Sequence, residues 1–138
     1  MRKSWDEYFL DIAFKVAERS TCPRRAVGAV VVKDKRIKGT GYNGAPHGLP
    51  HCIEAGCILE DGHCRRSIHA EINALLECSP EERRGATLYI TDYPCENCAL
   101  VIVQSGIRRV VYARDYPVKR DWLREAGIEV VHLPREGA

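Results

Sequence analysis

The sequence has no apolar run approaching the ~20 residues that a membrane span requires, so nothing in it reads as a bilayer-crossing helix. It has no basic block either: 21 basic and 19 acidic residues are scattered along the chain, leaving a net charge of +2. Proteins that neutralise many phosphates of a polynucleotide concentrate their positive charge, so a small substrate is expected rather than DNA or long RNA. The first residues, Met1-Arg2-Lys3-Ser4-Trp5-Asp6, pass directly into an amphipathic pattern without the apolar centre of a signal peptide. A cytoplasmic location is expected. Repeats and low-complexity segments are also lacking, and 138 residues fit one domain over 1–138, because compact domains run to roughly 100–150 residues.

Cysteine is what the chain has in excess, with seven. An odd count in a chain without secretion signals argues against a disulfide framework and for reduced thiols used in metal binding or catalysis.

Trp5, Phe9, Ile12, Ala13 and Val16 recur at helical spacing, predicting a first helix over roughly 5–19. A β-branched run from Val27 to Val32, a turn at Lys33-Asp34-Lys35-Arg36 and a return from Ile37 to Tyr42 predict a hairpin. From Asn43 to about Ser67 there is no sustained apolar period, and a loop of that length in a compact domain needs a function or something to pin it. Beyond it the pattern predicts helices from His69 to about Cys78, Cys95 to about Ser105 and Val118 to Ala126, alternating with strands at Thr87–Thr91, Arg108–Ala113 and Ile128–His132. Such alternation implies an α/β sheet covered on both faces.

His69-Ala70-Glu71 and Pro94-Cys95-Glu96-Asn97-Cys98 carry the chemistry. One imidazole and two thiolates, from His69, Cys95 and Cys98, can hold a zinc ion with its fourth position open for water, and Glu71 can shuttle protons beside it. Both motifs open helices, whose positive ends favour thiolate. A lone C-x-x-C is commonly a structural zinc knuckle or a redox pair, and a lone H-x-E means little; a structural site would normally supply four protein ligands. The combination matches the H-x-E, P-C-x-x-C signature of zinc-dependent nucleobase deaminases.

Ser20-Thr21-Cys22-Pro23-Arg24, Val27-Gly28-Ala29, Gly41-Tyr42-Asn43-Gly44, Ile68 to Ala74, Tyr93-Pro94-Cys95 and Gln104-Ser105-Gly106-Ile107 extend the match over nearly the whole chain. In these stretches the sequence resembles the deoxycytidylate (dCMP) deaminases of the bacterial and phage, late-competence ComE type, within the cytidine deaminase-like superfamily. The resemblance implies a three-layer α/β/α fold around a central five-stranded mixed sheet. It also implies hydrolysis of dCMP to dUMP and ammonia for thymidylate synthesis. Catalytic zinc on His69, Cys95 and Cys98, Glu71 as proton shuttle, and Asn43 as a hydrogen-bond partner of the sugar follow from it. So do a homohexamer and regulation by dCTP, with Mg2+, and dTTP. Tyr42-Asn43-Gly44 also reads as a simple turn. Arg24 and Arg25 offer cations for the substrate phosphate or form a solvated surface.

Relatives of the phage type carry a second, structural zinc in the region that here holds Cys22, Cys52, Cys57, His63 and Cys64, giving two zinc ions per chain. Cys22 and Cys52 match best. A relative's acidic ligand falls on Ser67, so Cys57 or Cys64 replaces it alongside His63. The bland alternative, burial as small apolar residues, is assigned to Cys78. His47, His51 and His132 have no evident partners in the sequence. Rival functions are deamination of free cytidine, guanine or transfer-RNA adenosine, and a zinc-stabilised interaction module without catalysis; Glu71 argues against the last.

Overall fold

The computed structural model describes residues 2–60 and 63–135, and the side chain of His63 lies outside the described residues. The chain runs α1 (Trp5–Ala17), β1 (Gly28–Lys33), β2 (Arg36–Tyr42), α2 (Cys52–Ala55), β3 (Leu59–Glu60), β4 (His63–Cys64) and α3 (Ala70–Leu76), then α4 (Pro80–Arg83), β5 (Thr87–Asp92), α5 (Glu96–Ser105), β6 (Arg109–Arg114), α6 (Trp122–Glu125) and β7 (Glu129–His132). Five strands form the expected mixed sheet in the order β2-β1-β5-β6-β7. β1 is antiparallel to both β2 and β5, whereas β5, β6 and β7 are parallel.

Successive strand side chains point to opposite faces, and here both faces are buried. Ala29, Val31, Leu88, Ile90, Val110 and Tyr112 join α3 and α5 in one core. The alternate positions, Val30, Val32, Tyr89, Val111 and Ala113, meet Phe9, Leu10 and Ala13 of α1 on the other. At the start of α1, Ser4 Oγ accepts from Glu7 N at 3.1 Å while Glu7 Oε1 accepts from Ser4 N at 3.0 Å, satisfying two of the donors a helix start leaves free. Asp34 and Lys35 turn β1 into β2 with φ of 52° and 60°, the two-residue hairpin geometry that matches strand twist.

β2 is the glycine-bearing edge under α3. A Cβ on Gly41 would lie 2.4 Å from both Ala70 O and Ala74 N, and one on Gly39 would lie 2.5 Å from Ala74 O. Bare backbone at these two positions is what lets α3 settle on the sheet.

Three expectations change. The last helix is only Trp122–Glu125, because Asp121 is its N-cap, with its carboxylate accepting from Arg124 N at 3.5 Å, and residues 118–121 are left outside it. The long loop contains α2 and the β3–β4 pair. It is also tied down by backbone: Gly44 and Ile68 exchange hydrogen bonds of 3.2 and 2.8 Å, and Ile53 N donates to Thr21 O. His51 and His132 have partners, Thr21 Oγ1 at 2.8 Å and Ala113 O at 2.9 Å respectively. Cys78 is buried as expected.

The antiparallel β1 brings its first residues, and the last of β2, to the sheet edge where the parallel strands β5 and β6 end. Ligand sites of α/β sheets lie at such carboxyl ends.

Candidate active site

His69 and Cys95 are the N-cap residues of α3 and α5, both extended, with φ and ψ of −66° and 150° and of −68° and 167°. Two helix starts therefore face each other. His69 Nδ1 lies 3.1 Å from Cys98 Sγ and 3.6 Å from Cys95 Sγ, and the three donor atoms all fall within 4.8 Å of one another. Among the described residues no fourth His, Cys, Asp or Glu joins this group. The set has the composition of a catalytic zinc centre that keeps a position open.

Thiol acidity fits the same use. A hydrogen bond from Cys98 holds the Cys95 thiol down to about 4 against the opposing effect of burial, and His69 adds to it. Cys98 is raised in turn, first by its bond to Cys95 and then by burial. His69 is raised, chiefly by its bond to Cys95. Glu71 is 3% exposed, and burial pushes its carboxyl up to about 7. It contacts Cys98 and does not point into solvent.

A cleft of about 280 Å³ opens beside this group, lined among others by Arg24, Arg25, Asn43, His69, Glu71 and Tyr116. That is near the roughly 300 Å³ lower bound of small-molecule sites. Asn43 is in the wall, but its amide is partly committed: Oδ1 accepts from Val27 N at 2.9 Å, and Nδ2 donates to Arg25 O at 2.6 Å. One amide hydrogen and one lone pair remain for a ligand.

Sequence reasoning passed over Asp92 and Tyr116, which also line the cleft. A charged residue closing the apolar strand Thr87–Thr91, immediately before Tyr93-Pro94-Cys95, was the available signal for Asp92. Tyr116 follows β6 and carried none.

The second thiol cluster assembles too. Cys22, Cys52 and Cys57 bring their Sγ atoms within 4.8 Å of one another, and Cys64 Sγ lies 3.4 Å from Cys52 Sγ. The Cys57 thiol is pushed up to about 12 by burial and by bonds to Cys52, Cys64 and Cys22. For Cys64 burial acts upward, but bonds from Arg66 N, Cys52 and other backbone groups prevail and bring it to about 7. Ser67 Oγ is 3.5 Å from Cys52 Sγ. Of the two expected alternatives, Cys57 belongs to the three-thiol group and Cys64 lies against Cys52, while the side chain of His63 lies outside the described residues.

A model of the cytidine and deoxycytidylate deaminase zinc-binding region matches residues 3–114. The chain belongs to that family. This deaminase is 46% identical over 136 residues to ComE operon protein 2 of Bacillus subtilis, covering 94% of the chain and 71% of that protein. It is 50% identical over 125 residues to the deoxycytidylate deaminase of Mycobacterium phage D29, covering 83% and 98%. Its fold superposes with a TM-score of 0.84 on the crystal structure of dCMP deaminase from cyanophage S-TIM5 in complex with dCMP and dUMP. The two are 35% identical over 96% of this chain and 99% of that one.

Proposed function

We propose that the cleft binds one molecule of dCMP and that the chain converts it with water to dUMP and ammonia, supplying dUMP for thymidylate synthesis. The carrying observation is the three-donor group of His69, Cys95 and Cys98 with buried Glu71 at its side. These three side chains would hold a zinc ion, which would lower the pKa of a bound water to about 7 and so supply hydroxide at neutral pH. Glu71 accepts the proton of that water and delivers it to N3 of the cytosine ring. The hydroxide oxygen would bond to C4, and as the C4–N bond breaks Glu71 would take the remaining proton from that oxygen and pass it to the leaving amine, giving ammonia and the C4 carbonyl of dUMP. Burial keeps bulk water from levelling its acidity.

Arg24 and Arg25 on the cleft wall supply cations for the 5′-phosphate, and the uncommitted half of the Asn43 amide serves the sugar. A second zinc would sit among Cys22, Cys52 and Cys57, whose thiols lie within 4.8 Å of one another, with Cys64, 3.4 Å from Cys52, as the fourth thiolate. Magnesium enters only with a regulatory nucleotide, dCTP opposing dTTP, on a homohexamer. Exposed Leu76 on α3 and Leu100 and Val101 on α5 are apolar surface that such an assembly would cover.

Ammonia release decides between the substrates. Zinc-loaded protein is offered dCMP, deoxycytidine, CMP, guanine and adenosine, with dCMP expected to be turned over fastest. Faster turnover of a compound lacking the 5′-phosphate would remove dCMP as the substrate, and no turnover at all would remove deamination.

A further inference from the structure

Asp92 closes β5 on the cleft wall, 4% exposed. A buried carboxylate there opposes a phosphate unless its charge is taken up. It is taken up from both sides. Arg25 Nε donates to Oδ2 at 2.6 Å, and Arg25 Nη2 pairs with the same oxygen. Arg114 Nη2 and Nε donate to Oδ1 at 2.8 and 3.2 Å, and Thr91 Oγ1 donates to it at 2.7 Å. Two guanidiniums against one carboxylate leave a net positive charge.

The two arginines differ in placement. Arg114 reaches past Asp92 to Ala26 O at 3.1 Å and is not part of the cleft wall, whereas Arg25 is. Arg25 is held at three points. Asn43 Nδ2 fixes its carbonyl at 2.6 Å, Asp92 fixes the Nε and Nη2 side of its fork, and the Tyr116 ring lies against the guanidinium with its centroid 5.3 Å from Cζ. For a side chain that remains 44% exposed, this removes much of the rotamer freedom that binding would otherwise have to quench, and leaves the Nη1 end of the fork unoccupied by Asp92.

We propose that Asp92 is a positioning residue that, with Tyr116, holds Arg25 ready to take the substrate's 5′-phosphate, and so sets the preference for a nucleotide over a nucleoside. Arg114 is the second counter-charge that keeps Asp92 from repelling that phosphate. The assignment rests on the dCMP reading and goes beyond it by choosing Arg25 as the phosphate ligand and naming what orients it.

The test compares wild type, Asp92→Asn, Arg25→Ala and the double variant on dCMP and deoxycytidine. In Asp92→Asn the dCMP-over-deoxycytidine ratio of kcat/KM should fall about tenfold or more, as expected for losing one charge-assisted hydrogen bond, and through KM rather than kcat. The double variant should be no worse than Arg25→Ala alone, because the two act as a unit. A ratio that is unchanged or higher in Asp92→Asn, or losses that simply add, would overturn the proposal. Tyr116→Leu, which leaves the buried network intact, should lower the ratio a few-fold; no change there, if Asp92→Asn does not fold, overturns it equally. Calorimetry of dUMP against deoxyuridine on the zinc-loaded proteins reads the same preference without turnover. A wild type that deaminates dCMP and deoxycytidine equally well refutes this inference alone, while a wild type inactive on dCMP refutes the functional reading and leaves the dUMP measurement to decide the role of Asp92.

Discussion

Asp6 shows how much one side chain can hold together. Its carboxylate accepts from Arg109 Nη1 and Nη2 at 2.8 and 2.6 Å and from the Tyr89 hydroxyl at 2.7 Å, joining the start of α1 to β5 and β6. The hydrogen bond from Arg109 is the chief reason that its carboxyl titrates below the usual value. A depressed carboxylate stabilises the fold above its unfolded pKa, about 3.9, and loses that contribution as pH falls through the lower folded value. Asp6→Asn should therefore cost about 1–2 kcal/mol at pH 7, discounted for partial exposure. In urea unfolding the gap from wild type should hold between pH 7 and about 5 and narrow as pH falls below about 4; a gap that widens there would contradict this. At the metal, Glu71→Gln should retain its zinc by metal analysis while kcat falls by about 10²–10⁴-fold or more, and retained activity would assign the proton transfers elsewhere. The residues of this centre were legible because two short motifs fix both ligand type and spacing. Asp6 was not, since nothing local announces a partner 103 residues away.

Elements were legible where periodicity is strong and less so where a single polar group sets the boundary. All five sheet strands could be read from alternating or β-branched runs, whereas α6 begins late because Asp121 turns its carboxylate to the helix it caps. α2 and the β3–β4 pair are too short to leave a period. Gly41 of β2 is the reverse case, visible in the sequence as part of a family resemblance but explained only by the packing of α3. Gly41→Ala would set a methyl carbon 2.4 Å from two backbone atoms of α3, so the helix must lift, taking His69 and Glu71 with it. We expect a stability loss of about 1–3 kcal/mol together with weaker retention of the catalytic zinc in chelator competition. Normal metal retention would mean that the clash is relieved without moving the N-terminus of α3.

For the molecule as a whole, the described residues between β2 and α3 have little support from apolar packing, with Leu49, Ile53, Ile58 and Leu59 all exposed. Metal binding at four thiolates would then contribute directly to its folding. Metal analysis of the reduced protein should give two zinc ions per chain, and Cys57→Ser should lower the count to about one while the catalytic ion stays. A wild-type value of one would mean that hydrogen bonds such as Gly44 to Ile68 suffice to hold the segment. Composition revealed that these cysteines have a purpose but not which ones converge, because that depends on where α2 and the β3–β4 pair fold back. The strand arrangement also divides the protein spatially. Every group assigned to chemistry lies where β5 and β6 finish and β1 starts, while the Asp34–Lys35 turn and the leading residues of α1 lie at the other end of the sheet. Affinity tags, dyes or fused domains attached at that remote pole would leave substrate entry and metal loading undisturbed, which makes the hairpin tip the natural handle for immobilising the protein on a sensor.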